Sequence, residues 1–423
     1  MGRPKIRFEG YSEDWEQRKL GDSCKLNGRI GFRGYTEKDI VTKEAGGVLT
    51  FSPTNIVDNK LTMECKNTYI TREKYDESPE IKISNGDILF VKTGSTLGKS
   101  ALVIGLKEDA SINPQIVVMR VEKDTETFMS NVLITDGVMK QVAAVKIGGA
   151  VPTMTETELK NFTYFAPTEK EEKKKIGNYF RTLDHLITLH QRKCDETKTL
   201  KKYMLQKMFP QNGEKVPEIR FDGFTEDWEQ RKVTELLKNS SSAMKIGPFG
   251  SALKKDYFVE EGIKVYAQEN AFTGDFSMGD YYITEDKYKE LKSCELYPGD
   301  LVISMMGTIG ACAIFPENAE KGIMNSHLLR LQFNNEVIPE YIMYLLRDSD
   351  LIRKQIDRLS VGSIMSGLSS SVVKKLVFPI PKLAEQKKIV KYLDSIDHLI
   401  TLHQRKCNDL KEIKKYMLQN MFV

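Results

Sequence analysis

Short loops that mix glycine with polar side chains hold the residues of this chain best suited to chemistry. In the major groove of DNA, Arg and Lys can make paired hydrogen bonds to guanine, and Asn and Gln can make them to adenine. In the N-terminal half, the candidate DNA-binding residues are Arg29, Arg33, Tyr35, Lys92, Thr93, Ser95, Thr96, Lys99, Asn113, Gln115 and Thr153. In the C-terminal half, they are Lys245, Ser251, Lys254, Lys255, Gln268, Asn270, Thr308, Asn325, His327 and Ser363. For any one of these residues, an ordinary surface turn is the competing interpretation.

One of these loops, residues 94–100 (GSTLGKS), resembles a phosphate-binding loop, but it has one residue too few between its glycines. The corresponding loop, residues 307–312 (GTIGAC), contains no lysine. A loop that presents backbone amides and hydroxyls to a polyanion therefore fits both copies better than a nucleotide site does.

Signatures of catalysis and of metal binding are weak. The chain has no Asn-Pro-Pro-aromatic tetrapeptide of the kind that amino-methyltransferases use, and no carboxylate–lysine cluster recurs in both halves as a nuclease would require. Four of the five histidines (185, 190, 398 and 403) are spaced by five residues, whereas ligands on one helix face are four apart. We expect no catalytic, cofactor-binding or metal-binding residues.

Most of the chain is present twice, at a shift of 213 residues. Residues 184–194 recur unchanged, and residues 4–19 (PKIRFEGYSEDWEQRK) recur with four substitutions as residues 217–232. The two tryptophans, Trp15 and Trp228, are equivalent under this shift, which favours a packing role over base stacking. So long a period predicts two copies of a domain-plus-helix unit, related by a pseudo-two-fold axis.

Residues 168–209 and 381–422 are predicted to be long helices, because apolar residues recur at alternating steps of four and three. Pseudo-two-fold symmetry makes these helices an antiparallel coiled-coil pair and brings residue 423 near residue 1. The predicted core is Ile176, Phe180, Leu183, Ile187 and His190 in the first helix and Ile389, Leu393, Ile396, Ile400 and His403 in the second. Polar residues at core positions, such as the two histidines, are typical devices for register and pairing.

The predicted fold class is α/β (α+β), with two globular domains, 1–167 and 217–380, separated by the paired helices 168–210 and 381–423. A polar linker, 211–216, lies between prolines. In each domain a Gly-Asp pair, at 86–87 and at 299–300, precedes an apolar run typical of a buried strand. Further strands are predicted at 116–121 and 328–333, and a helix at 337–347.

Composition excludes several classes of protein. The charged fraction of 29% is ordinary for a soluble globular chain. No apolar run is long enough for a membrane span, and the first residues lack the apolar stretch of a secretory signal. Six cysteines without metal-like spacing indicate reduced thiols and a cytoplasmic location. The net charge of +4 lies in the helical segments and not in the domains, which is unusual for DNA-binding domains.

Along its whole length the chain resembles the specificity (S) subunit of a type I restriction–modification system. The resemblance rests on the duplicated layout, the segment FEGYSEDWEQRKL/FDGFTEDWEQRKV, the Gly-Asp-strand-glycine loops, the GPFGS sequence at 247–251 and the LDHLITLHQRK helices. It implies two target recognition domains, each reading half of a bipartite asymmetric target in double-stranded DNA. It also implies that the paired helices are conserved spacers that set the gap between the half-sites.

The resemblance further implies a non-catalytic subunit that binds no cofactor. Two methyltransferase (M) subunits would bring S-adenosylmethionine for DNA methylation of a flipped adenine, and two restriction/translocase (R) subunits would bring ATP and Mg²⁺ for defence against foreign DNA. Partner subunits that close around DNA would also supply phosphate neutralisation that the domains lack. A stand-alone two-domain DNA-binding regulator and a coiled-coil scaffold for proteins remain the alternatives.

Overall fold

A computed structural model of the chain describes residues 2–28, 34–145, 152–211, 214–306, 310–360 and 368–423. The chain divides into two compact units. Unit 1 comprises Met1–Gln191 with Gln404–Val423, and unit 2 comprises Arg192–His403. Two long helices, Lys170–Lys207 and Leu383–Met421, each contribute one part to each unit. None of the helices among the described residues is long and apolar enough to cross a membrane.

The elements of the first half of the chain are short, apart from its last helix. The strands are β1 Glu16–Lys19, β2 Cys24–Asn27, β3 Ile40–Val41, β4 Val48–Phe51, β5 Ile56–Val57, β6 Lys60–Leu61, β7 Thr68–Ile70, β8 Ile88–Val91, β9 Ser100–Leu102, β10 Ala110–Ile112, β11 Ile116–Val121 and β12 Thr163–Ala166. The α-helices are α1 Leu20–Ser23, α2 Arg72–Asp76, α3 Glu126–Val132, α4 Asp136–Val145, α5 Glu156–Lys160 and α6 Lys170–Lys207.

The second half repeats this order with small changes. Its strands are β13 Glu229–Lys232, β14 Met244–Ile246, β15 Phe258–Val259, β16 Ile263–Tyr266, β17 Tyr282–Ile283, β18 Leu301–Ser304, β19 Cys312–Ile314, β20 Gly322–Met324, β21 Leu328–Leu331 and β22 Val377–Ile380. Its α-helices are α7 Val233–Leu236, α8 Gln268–Thr273, α9 Glu285–Leu291, α10 Pro339–Asp348, α11 Asp350–Leu359, α12 Ser370–Val373 and α13 Leu383–Met421.

The two units have the same sheet topology although their domain sequences diverge. Unit 1 contains the antiparallel sheet β2-β11-β8-β9, a mixed sheet β10-β4-β7-β3 and the pair β1-β12. Unit 2 contains the corresponding sheets β14-β21-β18-β19 and β20-β16-β17-β15 and the pair β13-β22. In each mixed sheet one pair is parallel, β10 with β4 and β20 with β16. The predicted α/β fold class with an internal repeat is confirmed.

The strand after each Gly-Asp pair is the buried centre of its sheet, as the apolar run predicts. Every residue of β8 and of β18 is buried. Asp87 Oδ2 accepts a hydrogen bond from Ser84 N, and Asp300 Oδ2 accepts one from Tyr297 N, so each carboxylate closes the turn before its strand. Burial raises the pKa of both Asp87 and Asp300.

Within each unit, parts of α6 and α13 pack against each other in antiparallel directions. In unit 1, Lys414 Nζ lies 2.8 Å from Asp184 Oδ1, and in unit 2, Lys201 Nζ lies 2.7 Å from Asp397 Oδ1. Seven predicted core residues are buried, namely Ile176, Phe180, Leu183, Ile187, Ile389, Leu393 and Ile396. The other three, His190, Ile400 and His403, are half-buried. The prediction of paired antiparallel helices is confirmed. The contact between the helices contains ion pairs as well as the two predicted histidines.

Both tryptophans pack in apolar cores, so the packing interpretation is confirmed. Trp15 makes edge contacts with Phe128 and Phe422 in unit 1. Trp228 makes the same kind of contact with Phe209 and Tyr341 in unit 2, and these residues are equivalent under the 213-residue shift.

The repeated segments around the tryptophans are held to the long helices by a buried ion pair in each unit. Arg7 bonds Glu172 through Nε and Nη2, at 2.7 and 2.8 Å, and Arg220 bonds Glu385 in the same way, at 2.7 and 2.9 Å. Both carboxylates are 1% exposed. The ion pair thus joins equivalent residues of the repeated segments and of the long helices in both units.

The two ends of the chain meet in unit 1, as the pseudo-symmetry predicts. Ile6 N donates to Asn420 O at 2.9 Å, and the equivalent bond in unit 2, between Ile219 N and Lys207 O, is also 2.9 Å long. All six cysteines lie among the described residues, and none of them forms a disulfide bond.

Candidate nucleic-acid interface

Three loops of unit 1, residues 92–94, 113–115 and 152–154, converge at the end of β8, and we call them loop cluster 1. Lys92 N donates to Gln115 O, and Met154 N donates to Lys92 O, both at 2.8 Å. Asn113 N donates to Phe51 O at 2.8 Å, and the Asn113 side-chain oxygen accepts from Gln115 N at 3.0 Å. Main-chain bonds thus fix these loops, which leaves side chains free to vary.

Unit 2 builds loop cluster 2 from Met305, residues 325–327 and Leu368, at the end of β18. Met305 N donates to His327 O at 2.8 Å, and Leu368 N donates to Met305 O at 3.1 Å. Asn325 N donates to Tyr266 O at 2.9 Å, and the Asn325 side-chain oxygen accepts from His327 N at 3.0 Å. Each of these bonds has its counterpart in loop cluster 1.

The end of β14 and the turn that follows it, residues 245–249, lie against loop cluster 2, and we call this segment the 245–249 loop. Gly247 N donates to Leu328 O at 3.1 Å, and a Cβ at Gly247 would lie 1.8 Å from Asn325 O. Only glycine permits this approach. Lys245 and Phe249 line a cavity of about 480 Å³ together with Lys374.

The candidate residues of unit 1 differ in their exposure. Gln115, Thr153, Ser95 and Lys99 are exposed. Thr93 and Thr96 are half-buried, as is Tyr35, which packs against the small apolar cluster of Val48, Ile70 and Tyr75. Asn113 is buried. Its side-chain nitrogen donates to Gln115 Oε1 and its side-chain oxygen accepts from Gln115 N, so it shapes the loop that presents Gln115. Lys92 Nζ lies 3.4 Å from Glu156 Oε1, and this ion pair offsets its charge.

In unit 2, His327, Lys254 and Lys255 are exposed, and Lys245, Gln268 and Asn325 are half-buried. Asn270 is 1% exposed. Its side-chain oxygen accepts from Ala267 N, and its amide nitrogen donates to Asp275 O and Met278 O. Asn270 is among the predicted DNA contacts, but its side chain caps α8 and closes the loop behind it, because the amide groups that suit adenine also suit a buried turn.

Four candidates lie outside the described residues, namely Arg29, Arg33, Thr308 and Ser363. The side chain of Ser251 is also not described. One exposed residue was missed. Phe249, the last residue of the 245–249 loop, is 65% exposed. Its position in the Gly-Pro-Phe-Gly sequence is the available signal, since Gly and Pro favour turns and connecting segments run over the protein surface.

The arrangement suits binding better than bond-making chemistry. Each unit presents amide, hydroxyl, imidazole or ammonium groups from several loops around a rigid strand end. Among the described residues, no group of three or more His, Cys, Asp or Glu side chains could hold a metal ion. Such mixed donors and acceptors can contact phosphates or the edges of bases.

Comparison with known proteins gives one consistent family. The profile of the family described as "Type I restriction modification DNA specificity domain" matches residues 12–199 and again residues 225–412. The MjaVIII type I restriction enzyme specificity subunit of Methanocaldococcus jannaschii is 23% identical, over 96% of this chain and 91% of that protein. A putative MjaX specificity subunit from the same organism is also 23% identical, over 96% of this chain and 92% of its own length.

Solved structures show the same fold. The S subunit of a type I restriction–modification system from M. genitalium superposes with a TM-score of 0.63 at 14% identity, over 99% of both chains. A chain from a structural study of complex assembly and conformational transition of the type I R-M system has a TM-score of 0.52 at 17% identity, over 96% of this chain and 97% of that one.

Proposed function

From the premise that this chain belongs to the type I restriction–modification DNA specificity family and is a specificity subunit, we propose that loop clusters 1 and 2 each bind one half of a bipartite, asymmetric DNA target. The observation that supports this most strongly is the shared main-chain scaffold. Lys92 and Met305 make the same two hydrogen bonds in their units, while their side chains have nothing in common. One framework with two sets of side chains suits two different half-sites.

The residues proposed to contact DNA are those that the loops leave accessible. They are the exposed Gln115, Thr153, Ser95 and Lys99 in unit 1, and the exposed His327, Phe249, Lys254 and Lys255 with the half-buried Lys245 in unit 2. Lysines positioned on loops fix the register on the phosphate backbone, whereas Gln115 and His327 have the donors and acceptors for base edges. Phe249 suits an apolar contact with a thymine methyl group.

We also propose that the long helices dock two methyltransferase subunits. Leu200 and Tyr203 are 46% and 48% exposed in unit 2, and their equivalents Ile413 and Tyr416 are 44% and 57% exposed in unit 1. Residues three apart lie on one helix face. Apolar side chains exposed at equivalent positions of both copies suit two copies of one partner. The methyltransferase would bring S-adenosylmethionine, and two restriction subunits would bring ATP and Mg²⁺. This chain would then provide the DNA sequence specificity, and its partners would carry out the catalysis.

The test is to co-express the chain with a methyltransferase subunit of its own system and to map methylated adenines across a genome. We expect a bipartite motif with a fixed gap. Swapping residues 20–160 for those of another family member should change one half of the motif only. Paired alanine substitutions at Ile413 and Tyr416 should weaken co-purification with the methyltransferase, while the same change at exposed Met63 and Val57 should not. Site-specific binding by the purified chain alone, without any methylation motif, would instead identify a stand-alone regulator.

A further inference from the structure

We propose that Asp184 and Asp397 are positioning residues that fix the orientation of each recognition domain on the helix pair. This inference rests on the proposed function, because the orientation of a domain determines how its loop cluster meets DNA. The two aspartates are equivalent in the repeated helices, within the identical segments 184–194 and 397–407. Each contacts both the other helix and a cation from the domain of its own unit.

In unit 1, Asp184 lies between two lysines. From α13, Lys414 Nζ bonds both carboxylate oxygens, at 2.8 and 2.9 Å. From β6 of the recognition domain, Lys60 Nζ lies 3.6 Å from Asp184 Oδ1 and donates to Asp184 O at 3.2 Å. The same ammonium donates to Thr188 Oγ1, one turn further along α6, at 2.7 Å. The β5-β6 hairpin is therefore attached to α6 by a three-point contact.

In unit 2, Asp397 is contacted in the same way by different elements. From α6, Lys201 Nζ lies 2.7 Å from Asp397 Oδ1. From α10 of the recognition domain, Arg347 Nη2 and the Tyr344 hydroxyl lie 3.3 and 2.9 Å from Asp397 Oδ2. The Tyr344 hydroxyl also lies 2.7 Å from Asp394 Oδ1. The pKa of Tyr344 is raised, mainly by burial and also by this hydrogen bond.

The residues that contact the two aspartates from the domains are not equivalent in the two copies of the repeat. Under the 213-residue shift, Tyr344 and Arg347 correspond to Asn131 and Ile134 in unit 1, and the neighbouring Tyr341 corresponds to Phe128, which has the same packing role. Neither Asn131 nor Ile134 contributes a cation. In unit 1 they line a cavity of about 400 Å³ beside Asp184, and Lys60, which contacts the carboxylate, lines the same cavity.

Two unrelated domain elements thus supply positive charge to equivalent carboxylates of the repeated helices. The cavity beside Asp184 is lined by Lys60 and Leu61 of the hairpin and by residues of α6, and across it the polar contacts of Lys60 restrict the angle between hairpin and helix. The ion pairs are half-buried, with Lys414 15% and Lys201 12% exposed, which limits their screening by salt. A domain released from this contact would sample more orientations, and mismatched DNA would lose less binding relative to the correct half-site.

A charge-reversal series in the complex with the methyltransferase tests this inference. The double variant D184K/K414D keeps an ion pair between the helices but places a positive charge against Lys60. Adding K60E to this pair restores attraction between domain and helix. The measurement is methylation of a DNA library with single-base changes in either half-site, together with the thermal unfolding of each variant.

We expect D184K/K414D to reduce discrimination in the half-site bound by unit 1 by about three- to tenfold, and to leave the other half-site unchanged. The triple variant should recover parental discrimination to within about twofold. The single variant K60Q, at a site that is 41% exposed, should change discrimination in the same direction with little effect on folding. The control K43E alters an exposed ion pair of the same domain, with Glu108, and should have no effect.

Unchanged discrimination in D184K/K414D and K60Q, or a loss that K60E does not reverse, would overturn the positioning role. Failure of the proposed function itself gives a different result. In that case the parental complex would show no bipartite preference, and no variant would be needed to see it.

Discussion

Gly247→Ala should disable recognition by unit 2 alone, because the methyl group has no room. Its Cβ would lie 1.8 Å from Asn325 O and 3.0 Å from Met324 O. Both obstacles are main-chain atoms, and Asn325 is itself held by its bond to Tyr266 O. The 245–249 loop must therefore move away from loop cluster 2, and the bond from Gly247 N to Leu328 O is lost or stretched.

The cost can be worked out from this geometry. Forcing a methyl group into packed surroundings costs about 1–3 kcal/mol, and a main-chain obstacle places Gly247→Ala in the upper part of that range. For a unit of this size, each kcal/mol lowers the unfolding midpoint by roughly 2–4 °C. At about 2–3 kcal/mol we expect a fall of about 4–12 °C for unit 2, together with at least a tenfold loss of affinity for its half-site.

The assay combines thermal unfolding with methylation of DNA that carries changes in one half-site at a time. Gly28→Ala is the matched control in unit 1. Its Cβ would lie 2.3 Å from Glu156 Oε1 and 3.1 Å from Lys92 Nζ, which are the ends of flexible side chains. We expect that variant to lose about 1 kcal/mol or less. Parental unfolding and parental half-site preference in Gly247→Ala would refute the reasoning.

Three further predictions concern the frame around the interface. Trp228→Ala should destabilise the protein by about 3–5 kcal/mol, measured by chemical unfolding, since the side chain is 2% exposed; a loss under 1 kcal/mol would contradict the packing role. Arg220→Ala should cost about 3–5 kcal/mol because it leaves Glu385 buried and unpaired, and R220L/E385L should recover most of that loss. Because burial raises the pKa of Asp87, the folded protein binds this proton more tightly than the unfolded chain does. The resulting stabilisation is complete below the ordinary carboxyl pKa and is lost as the pH rises through the higher pKa of the folded state. Asp87→Asn should remove that pH dependence from unfolding curves, and an unaltered slope would argue against it.

The sequence predicted the parts of this fold in which a period or a repeat expresses a packing requirement. The long helices, the strands at 116–121 and the strand starting at Leu328 all follow from apolar spacing, and they lie where expected. The meeting of the chain ends follows from the repeat. The hydrogen bond from Ile219 N to Lys207 O has its symmetry equivalent between Ile6 N and Asn420 O. Symmetry here made a long-range contact predictable from one chain.

The candidate interface was less predictable, because the same side chains serve bases, caps and turns. Asn113, Asn270 and Asn325 look alike in sequence, yet Asn270 closes a buried loop and Asn113 shapes the turn that presents Gln115. Lys92 is paired with Glu156, which lies 64 residues away, so its charge is offset by a residue that no local pattern would connect to it. Contacts of this kind depend on tertiary structure and not on spacing.

The two copies also separate what must be kept from what can vary. Contacts between repeated segments, such as those of Arg7 and Arg220, use the same residues in both units. Contacts from the domains to Asp184 and Asp397 keep the carboxylate but change the cation. Side chains at the loop clusters keep only the main-chain bonds beneath them. Variation thus increases from the helices, through the domain attachment, to the loops, and this order is what a subunit needs if it is to change its DNA target while keeping its partners.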